Sequence, residues 1–290
     1  MIPFKRILFP VDFSAQSRAV APFVRAMAKS LSSEVVALHV VDVPSSWQTS
    51  TENGEEPRSL EIDRLQAEAT ATLTHFVAEE LPGLNAILRV TKGDAARQIV
   101  DNAQEQDAHL IMMPTHGYGP FRALLLGSVT AKVLHDVLCP VWTAVHAEEM
   151  TSHSPDRWKR VLCALDTDDH GEAVLKWASQ FAQQQSLELQ VVHAVAGADG
   201  MWTEANDPSM YEFLFHAARE QLSKLQAAAG TNFEIRLLGG SAGNAVRKAA
   251  LDYDADLILI GRGGMQSSFG RLKDSGYSII RSAPCPVISV

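Results

Sequence analysis

Leu110–Thr130 reads LIMMPTHGYGPFRALLLGSVT. Its first five residues are apolar throughout, as in a strand buried on both faces. Beyond the loop, Val129, Val133, Leu134, Val137 and Leu138 fall on one face of a helix. Strand, glycine-bearing loop and helix start together make one unit of a parallel α/β fold. A helix start offers N–H groups without intrahelical acceptors, at the positive end of the dipole, and so suits an anion. Gly117 and Gly127 bracket nine residues and let the backbone approach a phosphate, while Ser128 and Thr130 add hydroxyl donors. A glycine loop with a serine cap is the plainer reading of the same residues.

The flanking sequence fits this unit. RILFPVD at Arg6–Asp12 reads as a buried strand ending in an acidic turn. Ser14 suits the N-cap of a helix with Val20, Phe23, Val24, Met27 and Leu31 on one face. Glu34–Val43 is a second strand, and Pro44–Pro57 a polar, turn-rich stretch that reads as a mobile loop. Ser59–Leu81 predicts a helix, Leu84–Val90 a third strand, and Asp94 a cap for a helix over Ala95–Gln106. Cys139–Val145 closes the set as a fifth strand. Apolar strands alternating with helices predict a doubly wound parallel sheet. Ligands of such sheets sit at the carboxyl ends of the strands, where Asp12, Val40 and Gly117 share one rim.

The pattern then repeats. Arg160–Asp166 echoes Arg6–Asp12, and Val192–Val195 echoes Leu38–Val41, each 154 residues later. Gly264 echoes Gly117 and Ser275 echoes Ser128 at 147, and Cys285–Val287 echoes Cys139–Val141 at 146. Five collinear echoes mark a duplication. The change of offset removes about seven residues between the second strand and the glycine loop. With a polar linker over Ala147–Asp156, the domains are expected at 1–146 and 157–290. The two closing strands, CPVWTAV and CPVISV, read as sheet edges that could pair with each other within one chain.

Composition narrows the function classes. With 46% hydrophobic and 20% charged residues the chain is that of a globular protein, and 290 residues suit about two domains. A formal charge of −9 argues against nucleic acid and anionic membrane surfaces as partners. Three scattered cysteines imply neither a disulfide framework nor a zinc site. The N-terminus lacks the pattern of a signal peptide, and no apolar run nears the ~18 residues of a membrane span, so a cytoplasmic location is expected.

A strand ending in Pro-x-Asp-x-Ser, a Leu-His-Val second strand, a glycine loop closing in Gly-Ser, and a Cys-Pro-Val strand resemble universal stress proteins of the tandem type. The resemblance implies two Rossmann-like, doubly wound five-stranded parallel sheets of order 3-2-1-4-5. It also implies a regulatory role in the stress response, ATP binding in some members, and room for a homodimer. Carried onto the first copy, it puts Asp12 near the adenosine and Val40 and Met113 against the base or ribose. Gly117, Gly127, Ser128, Val129 and Thr130 then surround the phosphates, with or without Mg²⁺. Pro114 stands where the family has a glycine, and proline lacks the N–H donor. The second copy keeps Asp166, Gly261, Gly264 and Ser275, but has Ala194 at the base wall and Asp274 where the family has glycine. A carboxylate there would repel a phosphate at ~4 Å by several kcal/mol, and as a helix cap it would also occupy the donors. At most one nucleotide, in the first copy, is therefore expected.

The remaining motifs add less. His39 and His193, at matched positions on strands, suit structural hydrogen bonds better than metal ligation. His116 lies next to the phosphate loop. No nucleophile–base motif occurs, so efficient catalysis is not expected, and a slow ATPase is the enzymatic alternative. Met201–Phe215 is rich in large apolar residues and reads either as domain packing or as a pocket for an apolar ligand. The last option makes a scaffold or apolar-ligand carrier the non-nucleotide alternative.

Overall fold

The computed structural model describes residues 4–43, 56–116, 126–145, 147, 150, 155–198, 208–262 and 274–290. The chain divides into two compact units, built mainly from Pro3–Trp142 and Met150–Val290. In the first, strands β1 (Arg6–Pro10), β2 (Glu34–Val41), β3 (Ile87–Lys92), β4 (Leu110–Pro114) and β5 (Val141–Ala144) lie in the order β3-β2-β1-β4-β5. Helices α1 (Ala15–Leu31), α2 (Glu56–Glu80), α3 (Ala95–Glu105) and α4 (Ser128–Asp136) connect them. The second unit repeats this with β6 (Arg160–Ala164), β7 (Glu188–Val195), β8 (Ile235–Gly239), β9 (Leu257–Ile260) and β10 (Val287–Ser289), ordered β8-β7-β6-β9-β10. Its helices are α5 (Gly171–Gln185), α6 (Pro208–Ala229), α7 (Ala242–Tyr253) and α8 (Asp274–Ser282).

The sheets form where apolar strands are covered on both faces. Ile7, Leu8, Phe9, Leu110 and Ile111 are buried, as are Val161, Leu162, Cys163, Ile258 and Leu259 in the second unit. Register repeats with the sequence: Arg6 pairs with Glu34, and Arg160 with Glu188. Ser32 and Ser186 end α1 and α5 in the same left-handed conformation, φ 53° and 56°. Gly93 and Gly240, at φ 127° and 116°, turn out of β3 and β8 and donate to Val41 and Val195 carbonyls. The offset has already fallen from 154 at Val41/Val195 to 147 at these glycines. The seven-residue shortening therefore lies in the crossover between the second and third strands.

Several boundaries differ from the periodicity. β3 runs Ile87–Lys92 rather than Leu84–Val90. The turn through Gly83 (φ 79°) takes up Leu84, and pairing with β2 extends to Val41↔Lys92. β5 starts at Val141, after Pro140. α2 begins at Glu56, inside the stretch read as a loop, whose residues 44–55 lie outside those described. Ser14 and Asp94 cap α1 and α3 as the sequence predicts, accepting from Ser17 N and Arg97 N. Among the described residues no helix is long and apolar enough to cross a membrane.

Candidate functional site

The first-copy rim is held by specific bonds at the carboxyl ends of β1, β2 and β4. Asp12 follows β1. Its Oδ1 accepts from Ser14 N at 3.0 Å, Ser14 Oγ at 2.5 Å and Ser17 Oγ at 2.6 Å. Among the described residues nothing donates to Oδ2, so one carboxylate oxygen is anchored and the other can meet a ligand. Asp12 is itself exposed while Ser14 and Ser17 are buried. Between them Phe13 takes a left-handed φ of 63°, uncommon for a bulky residue, and stacks on His39 with ring centroids 4.3 Å apart. Val11 N donates to Leu38 O at 2.8 Å, and His39 Nδ1 to Val11 O at 2.7 Å, which fixes Val40 beside Asp12 on the neighbouring strand.

Met113 and Pro114 end β4, and both are buried. Gly127 is the N-cap of α4, contributes no side-chain cap, and donates its own N–H to Thr115 O at 2.8 Å. A Cβ at Gly127 would lie 3.1 Å from that oxygen and 3.2 Å from His116 Cα, so a larger residue would crowd the loop. The first intrahelical bond is Ala131 N to Gly127 O. The N–H groups of Ser128, Val129 and Thr130 therefore have no acceptor among the described residues and point along the helix start. Thr130 differs from its expected role: its hydroxyl is buried and donates to Pro114 O at 3.0 Å, so its proton is already committed. Ser128 is exposed, and Gly117 lies outside the described residues. Lys132 reaches Asp94 Oδ2 at 3.4 Å, and the Arg97 N–H at the other oxygen holds the Asp94 carboxyl below the usual carboxylate range.

In the second unit a cavity of about 330 Å³ opens at the same end of the sheet. Asp166, Ala194, Gly261 and Ser275, four of the residues singled out in the sequence, line it together. Ile260 stands at the position of Met113, and Gly261 at that of Pro114. His193 also lines it, its Nδ1 donating to Leu165 O at 2.8 Å as His39 does to Val11. Asp274 is placed otherwise than the sequence suggests. It is the first residue of α8, exposed, and outside the cavity lining, which takes up Ser275 and Gly276 instead. Gly264 lies outside the described residues.

Three contributors escape a motif reading. Ser17, read only as part of a helix, is the second hydroxyl on Asp12. Asp168 and Gly171, at the positions of Ser14 and Ser17, line the second cavity. The spacing Asp-x-Ser-x-x-Ser in one copy against Asp-x-Asp-x-x-Gly in the other carries that signal. The apolar stretch reads in part as packing: Leu214 and Phe215 of α6 lie against Val195, Ala198 and Ala218, while Met210 and Phe213 are exposed. Residues 201–207 lie outside the described ones.

Comparison with known proteins agrees with this architecture. A universal stress protein of Mycolicibacterium smegmatis is 24% identical over 299 residues, covering 98% of this chain and 96% of the relative. One from Methanocaldococcus jannaschii is 32% identical over 138 residues, covering 48% of this chain and 80% of the relative. The crystal structure of a universal stress protein from Archaeoglobus fulgidus superposes with a TM-score of 0.67 at 22% identity, covering 100% of this chain and 97% of that one. The model of the Universal stress protein family matches twice, at residues 3–144 and 157–290, and the chain thus belongs to that family as a tandem of two copies.

Proposed function

We propose that the chain is a nucleotide-responsive regulatory protein of the stress response, acting in the cytoplasm, which binds one adenine nucleotide in its first copy. The observation that carries this reading is the pairing, on one rim, of an anchored acceptor with helix-start donors that have no acceptor among the described residues. Asp12 presents one carboxylate oxygen, suited to ribose hydroxyls, while the other is fixed by Ser14 and Ser17. The N–H groups of Ser128 to Thr130 lie at a helix start that no side chain among the described residues caps, as a phosphate requires. Val40 and Met113 supply apolar surface for the base. Pro114 lacks one donor, worth about 1.5–3 kcal/mol toward a charged group, and this weakens the site without abolishing it. Turnover is expected below ~1 s⁻¹, the low end of ordinary enzymes.

The test is calorimetric titration of the full chain with ATP, with and without Mg²⁺. One site is expected, lost in Gly127→Asp and weakened at least about tenfold in Asp12→Ala. An undiminished signal in Gly127→Asp overturns the assignment. Silence of the unaltered chain would favour the apolar-ligand alternative, for which the exposure of Met210 and Phe213 is the specific observation.

A further inference from the structure

The turn out of β3 carries an ion pair that the second copy lacks. Gly93 N donates to Val41 O at 3.1 Å, which sets Asp94 at the carboxyl end of β2 and β3. Asp94 caps α3 through Oδ1, accepting from Arg97 N at 2.9 Å. Its Oδ2 lies 3.4 Å from Lys132 Nζ on α4, and both side chains are more than half exposed. At the 147-residue offset that relates Gly93 to Gly240 and Ser128 to Ser275, the counterparts are Ser241 and Ile279. Ser241 stands at the N-cap of α7 and Ile279 lies on α8, and both line the cavity of the second unit. The repeat thus sets Asp94 and Lys132 at the border of the first-copy rim, with opposite charges where the second copy has a hydroxyl and an apolar side chain. Lys132 also stands in register with the helix start. It follows Ser128 by four residues, so the two share a face of α4 one turn apart. Side chains in a helix lean toward its N-terminus, and one turn is a rise of about 5.4 Å, which a lysine side chain spans.

We propose that Lys132 is a specificity-determining residue of the first copy, which favours nucleoside polyphosphates over monophosphates, and that Asp94 is the acceptor which holds its ammonium until a phosphate chain replaces it. The role presupposes nucleotide binding by the first copy. One phosphate satisfies the N–H groups of the helix start. A chain of two or three leaves charge to spare for the ammonium, which acts as a compact point charge. An exposed ion pair contributes little, so several phosphate charges outcompete one carboxylate for the same lysine. Asp94 keeps its capping bond throughout, since Oδ1 is the oxygen that serves α3.

Calorimetric titration of the full chain with ATP and with AMP, without Mg²⁺ and at fixed ionic strength, tests both residues. ATP should bind at least about tenfold tighter than AMP. Lys132→Gln, at an exposed position, should weaken ATP about tenfold and AMP less than about threefold, while Lys132→Arg should retain the preference. Asp94→Ser keeps a capping residue and is expected to strengthen ATP about threefold. In the double variant that gain should vanish, because Asp94 acts through Lys132. Equal losses of ATP and AMP in Lys132→Gln, or an equal gain from Asp94→Ser in the Lys132→Gln background, overturns the proposal. Silence of the parent chain toward both nucleotides would overturn the nucleotide reading itself, whereas binding of both that ignores Lys132→Gln overturns the role of Lys132 alone.

Discussion

His39 Nδ1 lies 2.7 Å from the carbonyl oxygen of Val11, and the same bond recurs between His193 and Leu165 at 2.8 Å. A carbonyl only accepts, so Nδ1 carries the proton, and the ring ties the turn after β1 to β2. In the first copy Phe13 stacks on the same imidazole. Replacing His39 with Phe keeps an aromatic ring but removes the donor to a buried residue. A loss of about 1–3 kcal/mol is expected, measured by denaturant unfolding of the full chain. A loss below ~0.5 kcal/mol would show that the bond is dispensable.

Ser17→Ala separates anchoring from capping. Ser14, which caps α1, is untouched, while Asp12 Oδ1 loses one of its three donors. ATP affinity should fall about three- to tenfold as the carboxylate gains freedom. Ser14→Ala removes both roles and should in addition cost about 0.5–2 kcal/mol of stability. Equal nucleotide affinity in the parent chain and Ser17→Ala would argue against the anchored carboxylate as a recognition element.

Thr130→Val tests whether this hydroxyl serves the ligand or the fold. Its proton goes to the Pro114 carbonyl in a buried bond. The variant should lose about 1 kcal/mol in thermal or denaturant unfolding, with ATP affinity changed less than about threefold. A tenfold loss of affinity at unchanged stability would return the hydroxyl to the phosphate site.

Burial pushes the Cys163 thiol up to about 12. Its folded value lies above the ordinary thiol range, so its contribution to stability is complete below about pH 9. That contribution is lost as pH rises toward about 12, because the unfolded chain ionises first. Cys285 is shifted the same way, by burial and then by Asp256. Native alkylation at pH 8 followed by mass spectrometry should modify Cys139, which is half-buried, well before the other two. Prompt labelling of Cys163 would show that the second unit opens readily.

The sheet was legible because strands buried on both faces leave continuous apolar runs, and because the chain states the pattern twice. Apolar periodicity starts the edge strand β3 three residues before the observed Ile87. Its exposure alternates, and register with β2 sets its ends rather than hydrophobicity. Strand ends alone put Asp12, Val40 and Gly117 on one rim, and of these Asp12 and Val40 are among the described residues. The destination of the Thr130 hydroxyl could not be read that way, since it depends on a contact across sixteen residues. Asp274 shows the same limit, because a helix that starts one residue earlier or later turns a cap into an outward-facing side chain.

The exchange of Ser17 for Gly171 has a consequence for what the molecule can become. In a protein assembled from identical chains every substitution appears in all copies at once, so a change that spoils one pocket spoils them all. Here each repeat is encoded separately, and a residue can be altered in one while its counterpart stays fixed. Gly171 is moreover locked in by its neighbours, since any side chain would press on the backbone of Asp166. A single change to serine there is sterically closed, so the second copy cannot take up the first copy's arrangement by that one substitution.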